Sequence, residues 1–338
     1  MRREKAIKSH QQKMRERKAI DDLQRIAHEH GLSRRTLVSR SWHKRNMEAA
    51  SHLFGFASWK DTVYYIHALF GLLPPKSKPH PEKDKISDFE ACLMAKIRIH
   101  RGMPIEQIAL TWGPTDRRRV GEHVRRWVKK WGEAGRDLSI LPINESFLEK
   151  TCPQAHKDEG LSKICAVPDG KDFKIETKRQ NSLFTRASRS EKVHASAVRC
   201  ISWSTPMGLS FEHTNLFLAR VSEKALVELW GPRLKKCPRG WAMLSDRGFA
   251  DTARFYPNMN HQKTPKFLAG RKQFSAAEVS ADRTICKLRY TCEVAFARVT
   301  ATKGLKDVIT DKFFPILDAM NDWGHASINI GAPLLPLN

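Results

Sequence analysis

LSKICAVPDGKDFKIET at residues 161–177 and VHASAVRCISWS at 193–204 decide the fold of this chain. Both runs are rich in branched and aromatic residues that fit a pleated, half-buried surface, and they read as consecutive strands. GLSFEHT at 208–214 and NLFLARV at 215–221 extend the series, with TPMG at 205–208 as a turn. SEKALVELWG then reads as a helix capped by Ser222, and WAMLS as a further strand ending at Asp246. A longer helix opens at Ser275, where SAAE to Glu278 forms a capping box, and runs to about Thr300. Ile285, Leu288, Cys292, Phe296 and Val299 recur at helical spacing and form its buried side. Strands interleaved with helices give an α/β class, a mixed sheet flanked by helices.

Upstream the texture is helical. ISDFEACLMAKIRIH carries Phe89, Leu93 and Ile97 at steps of four and closes at Gly102. MPIEQIAL starts at Pro104 and turns Ile105 and Ile108 inward, and the Trp112-Gly113-Pro114 turn ends it. TDRRRVGEHVRRWVKKW, with Thr115 as N-cap, places Val120, Val124, Trp127 and Trp131 on one stripe. Its other side is Arg117, Arg118, Arg119, Arg125, Arg126, Lys129 and Lys130. Two helices joined by a tight turn, the second with arginines at its start, match the helix-turn-helix that lies in a major groove. The alternative is an ordinary three-helix packing unit with a solvated basic face. PPKSKPHPEKDK, residues 74–85, holds four prolines in twelve residues and reads as a linker. The expected division is a basic helical region over 1–73, the linker over 74–85, a helix-turn-helix region over 86–145, and an α/β domain over 155–338.

Charge narrows the partner. Lys and Arg number 60 against 36 acids, a net charge of +24, which points to a polyanion and first of all to nucleic acid. The opening MRREKAIKSHQQKMRERKAI lacks apolar periodicity and suits an arm that lies along phosphates or acts as a nuclear import signal. It has no apolar segment to serve as a signal peptide, and no run approaches a membrane span, so no membrane partner is expected. The seven cysteines lie outside any CxxC spacing and read as reduced, mostly buried thiols. Among the fourteen histidines, His123, His194 and His213 read as structural or DNA-facing, and the tryptophans as core.

Three carboxylates could carry chemistry. Asp169 sits in AVPDGKDF and Asp246 in MLSDRGF, at or just beyond strands, where a rigid backbone meets an open crevice. Glu293 lies on the long helix in RYTCEVAFARV, with Arg289 one turn earlier. If they converge, they would suit two magnesium ions for an in-line phosphoryl displacement. Taken alone, the same residues also read as two turns and an i,i+4 surface pair.

The succession DGKDF, LFLARVSEKALVELWG, MLSDRGF, TPKFLAGRKQFSAAEV, RYTCEVAFARV resembles the DDE superfamily endonucleases of Harbinger-like eukaryotic transposases. With the upstream helices, the resemblance covers roughly residues 90–335. Asp246 follows Asp169 by 77 residues and Glu293 follows Asp246 by 47, a spacing similar to that of a ribonuclease H-like transposase core. The resemblance implies a ribonuclease H-like nuclease domain with Asp169, Asp246 and Glu293 as catalytic and metal-holding acids. It implies two divalent ions, Mg2+ or Mn2+, with cleavage and strand transfer at transposon ends. Double-stranded DNA, both terminal repeats and target, is the implied partner, and the nucleus the implied location. A Myb-like accessory protein and a homo-oligomer are compatible with it. Arg298 and Lys303 stand near the glutamate as DNA contacts, in place of the basic residue that relatives carry where this chain has Thr300. Relatives often have Ser-Asp-Lys where this chain has Ser222-Glu223-Lys224. Asp172, three residues after Asp169, competes with it for the first acid, and the Asp-Gly pairing favours Asp169. A domesticated transposase that binds DNA without cutting, and a basic RNA-binding protein, are the rival readings.

Overall fold

The computed structural model describes residues 86, 88–111, 116–177, 181–250, 252–256, 258–259 and 261–330. The expected basic arm, the proline-rich linker, the Trp112–Pro114 turn and the Thr115 cap lie outside them. Two compact units divide the chain, Met1–Ala134 and Gly135–Asn338.

The first unit holds three helices where the periodicity places them. Helix α1 spans Asp88–Arg101, α2 spans Ile105–Thr111, and α3 starts at Arg117 and runs on to Leu138. Leu93, Ile97, Ile108, Val120, Val124, Trp127 and Trp131 are all buried, so the apolar stripes do face a core. Gly102, at φ +63°, terminates α1 in the left-handed conformation that favours glycine. Arg98 fastens the following turn, donating to the carbonyls of Gly102 (3.2 Å) and Met103 (2.6 Å). Trp131 Nε1 donates to the Cys92 carbonyl at 3.2 Å, which ties α3 to α1.

The second unit is α/β. After short helices α4 (Glu145–Lys150) and α5 (Gln154–Asp158) comes β1 (Ile164–Lys174). Helix α6 (Ser182–Ser188) leads into β2 (Arg189–Ser190), β3 (Ala195–Ser204), β4 (Ser210–His213) and β5 (Phe217–Leu218). Helix α7 (Glu223–Trp230) precedes β6 (Ala242–Leu244) and β7 (His261–Lys263). Helices α8 (Ala276–Ala301), α9 (Lys303–Lys306) and α10 (Leu317–Ile330) follow. Among the described residues the sheet has seven strands in the order β2-β3-β1-β6-β7, with β4 and β5 also on β3. β3 runs antiparallel to β1, β2, β4 and β5, whereas β6 is parallel to β1, and β7 to β6.

Two apolar clusters lie on this sheet. One joins Cys165 and Ala166 of β1 to Leu226 and Val227 of α7, Trp203 and Met243. The other joins Ile164 and Val167 of β1 to Leu244 of β6 and to Leu288 and Cys292 of α8. Ser222 caps α7 by accepting from the Ala225 N–H, and Ser275 and Glu278 form the expected capping box on α8. NLFLARV is not a full strand: only Phe217 and Leu218 pair with β3, and the backbone then turns, Val221 N–H donating to the Leu218 carbonyl at 3.0 Å. All seven cysteines are free, and six are buried. No described helix is long and apolar enough to cross a membrane.

Two buried histidines make this unit acid-sensitive. Burial and the neighbouring His213 hold His325 far below the ordinary imidazole value, and burial lowers His156 to about 4. Both therefore stay neutral in the fold while an unfolded chain takes up protons below about pH 6.5. Their contribution is present above that value and lost as pH falls through the folded values. The urea midpoint of the wild type is expected to drop between about pH 6.5 and pH 4, and to drop less in His156→Leu.

Candidate active site

The parallel pairing of β1 with β6 brings two of the three expected acids together. Asp169 lies within β1, opposite Ser202 of β3, rather than at its end. Asp246 follows β6 and precedes a 3-10 turn at Arg247–Phe249. With Ile164 paired to Ala242 and Ala166 to Met243, the two chains climb in the same direction and bring both carboxylates to one guanidinium. Arg289 enters from α8, its guanidinium Nη2 3.7 Å from Asp169 Oδ1 and 3.7 Å from Asp246 Oδ2. The alternative reading, an i,i+4 surface pair of Arg289 with Glu293, is not what the structure shows, since the ion pairs of Arg289 are with Asp169 and Asp246. Asp246 Oδ1 and Arg289 Nε are both buried without a hydrogen-bond partner.

Glu293 does not join this pair. It is exposed on α8, one turn beyond Arg289. Glu223 at the start of α7 comes closer. A Cβ on Gly170 would overlap Glu223 Oε1, and one on Gly248 would stand 3.1 Å from Asp246 Oδ1 and 3.3 Å from Glu223 Oε2. The glycine after each aspartate segment thus opens the space through which a carboxylate from the α7 side reaches the acids. Lys192 donates to the Gly170 carbonyl at 2.8 Å and lies 3.9 Å from Glu223 Oε1.

Asp172 has a separate task. Arg199 donates to both its oxygens, at 2.6 and 2.9 Å, and Ser190 donates as well. This buried, fully paired carboxylate is held below its ordinary range by those bonds, against the opposing effect of burial. It is a structural ion pair, and Asp169 is the acid that faces Asp246.

Burial raises Asp169 above the ordinary carboxylate value despite Lys192 and Arg289, and burial likewise raises Glu223. Stability from a raised carboxyl is fully present below its unfolded value and is lost as pH rises through the folded one. At neutral pH the burial of the Asp169 carboxyl therefore costs stability. Asp169→Asn is expected to raise Tm at about pH 7 in divalent-free buffer, with the gain vanishing in acid, where the wild-type carboxyl is itself protonated. A calorimetric scan across that range checks it, and a lower Tm at neutral pH refutes it.

Two carboxylates from adjacent parallel strands, one with an unpartnered oxygen and both facing one guanidinium, fit a hard cation that takes oxygen ligands. The expected set of three is not assembled: among the described residues no three His, Cys, Asp or Glu side chains converge closely enough to hold a metal ion. Of the expected nucleic-acid contacts, Arg117, Arg118, Arg119, Arg125, Arg126 and Lys129 are exposed on α3, and Lys130 is half-buried over the Trp127 ring at 4.5 Å. Several are already engaged: Arg117 with Glu106 (3.4 Å), Arg118 with Glu122 (3.5 Å), and Arg126 with Asp88 (3.1 Å) and His123. Arg298, half-buried on α8, belongs to the second unit. Compared with family models, curated proteins and solved structures, the chain matches none of them.

Proposed function

We propose that this chain is a metal-dependent DNA endonuclease of the DDE transposase type. The observation that carries the reading is the Asp169–Arg289–Asp246 bridge, in which two acids, one on β1 and one just after the parallel β6, share one guanidinium. The mixed sheet flanked by helices, an antiparallel group continued by two parallel strands, is compatible with it. The net charge of +24 and the exposed arginines of α3 suit a DNA substrate.

Asp169 and Asp246 would hold Mg2+ or Mn2+. A bound ion of this kind polarises the attacking and leaving oxygens of a phosphodiester displacement. Asp169 contributes a carboxylate held by the pairing of β1 with β3, and Asp246 an oxygen with no competing donor. Arg289 offsets the like charge of the pair. Glu223 and Glu293 compete for the place of third acid. A second reading, a DNA-binding protein that no longer cuts, is favoured by the exposure of Glu293 and by the absence, among the described residues, of a third acid converging on the pair.

Supercoiled plasmid carrying terminal repeats separates these readings, incubated with the full chain and Mg2+, Mn2+ or chelator. Metal-dependent nicking is expected in the wild type. Its loss in Glu223→Gln or in Glu293→Gln identifies the third acid. Binding without nicking under any metal supports the non-cleaving reading.

A further inference from the structure

A cavity of about 490 Å3 is bounded by the second half of β1, starting two residues after Asp169, by the end of α8 and by the 305–308 segment. Lys171, Lys174 and Lys306 line it, and among the described residues none of the three has an ion-pair partner. Its carboxylates do not cancel them. Asp172 is already neutralised by Arg199, which leaves Asp307 alone against three ammonium groups. The far end is closed by backbone pairing, Ile309 N–H to the Lys174 carbonyl and Glu176 N–H to the Ile309 carbonyl, both 2.9 Å.

The cavity continues the acidic site along two elements at once. On β1, Lys171 lies two residues beyond Asp169 and so on the same face of the strand. On α8, Arg289, Glu293 and Thr300 share one stripe at steps of four and seven, and Thr300 lines the cavity. From Glu293 to Thr300 the helix advances about 10 Å, the axial span of about three successive phosphates of one strand.

We infer that this basic cavity is a binding site for the phosphodiester backbone of DNA, seating the strand that continues past the Asp169–Asp246 pair on Lys171, Lys174 and Lys306. That the strand so held is the one cut rests on the nuclease reading; that the cavity takes a phosphate backbone does not. Lysine suits this task because it neutralises phosphate as a flexible point charge without reading a base.

The test is the salt dependence of binding, measured in chelator by fluorescence anisotropy of a labelled duplex with a single-stranded tail. The full chain is compared with the triple variant Lys171→Gln, Lys174→Gln, Lys306→Gln. The slope of log K against log salt is expected to fall by about 2 to 3, roughly 0.9 for each duplex phosphate no longer neutralised and about 0.7 for each in the tail. The triple Lys→Arg variant is expected to keep the wild-type slope, and an equal Tm in all three proteins excludes misfolding as the cause. A slope changed by less than about 0.5 overturns the site. A change seen with the matched RNA and absent with DNA overturns its assignment to DNA. Nicking with an unaltered slope refutes this inference alone, and an altered slope without nicking refutes the nuclease reading while the cavity stands as a backbone site.

Discussion

On the proposed nuclease reading, Asp246→Asn is expected to slow metal-dependent DNA cleavage by at least about 10²–10³-fold, the usual loss when one preorganised electrostatic group is removed from a reacting centre. The substitution preserves shape, and the Asp246 side chain makes no capping bond to the turn it precedes, so little of the fold depends on its charge. Arg289 keeps Asp169 as a partner. DNA binding is expected to stay within about twofold, because a carboxylate that faces a polyanion adds nothing to phosphate attraction. The discriminating measurement pairs nicking rate with Mn2+ affinity, read by calorimetry on the DNA-free protein. Loss of both supports the assignment of Asp246 as a holder of the cation. Unchanged cleavage with an unchanged Mn2+ isotherm sinks it, whatever the fate of the cavity lysines.

The parts of this fold that were legible in the sequence carry their own local signals. Ser275 and Glu278 announce α8 because the capping box is a four-residue event. The Val120, Val124, Trp127 and Trp131 stripe announces α3 for the same kind of reason. The missed elements depend on neighbours. His261–Lys263 has no apolar alternation and is a strand because β6 lies beside it. Leu317–Ile330 hides its helical period because its inward positions include Asn321, Asp322 and His325, polar residues that meet partners on β3, on β4 and at Thr214. NLFLARV errs the other way, with strand-like composition but only two residues near enough to β3 to pair.

The site divides along the same line. Asp169 and Asp246 stand out through their flanking motifs, and parallel pairing then brings them together. Glu223 is separated from them by 54 and 23 residues of chain, and its approach depends on what Gly170 and Gly248 lack. A glycine soon after each acid was the available signal. It reads first as a turn, and only packing reveals it as an opening.

Asp322→Ala is expected to destabilise the second unit by about 3–5 kcal/mol, the cost of leaving a buried charged or polar group without its partner. Native stabilities lie at about 5–15 kcal/mol, so this one change removes a large share. Asp322 is only 5% exposed and serves two residues: its Oδ1 bonds His213 Nε2 at 2.9 Å, and its Oδ2 accepts from Arg136 Nε at 2.7 Å. His213 in turn stacks on His325 at 4.3 Å, and His325 Nδ1 lies 3.1 Å from the Ser210 hydroxyl and 3.3 Å from that of Ser202. Removing the carboxylate therefore strands a chain of buried polar groups that reaches from α10 into β3 and β4. The two arms of the bond pattern differ in weight. Arg136 is 57% exposed and recovers water when its partner goes, so Arg136→Ala is expected to cost no more than about 1 kcal/mol. His213 has no such recourse. Urea unfolding of Asp322→Ala, Asp322→Asn and Arg136→Ala checks the ordering, with the asparagine variant intermediate because it can still accept one hydrogen bond. Equal midpoints for the Asp322→Ala and Arg136→Ala proteins would show that the exposed ion pair, and not the buried histidine contact, is what Asp322 contributes to the fold.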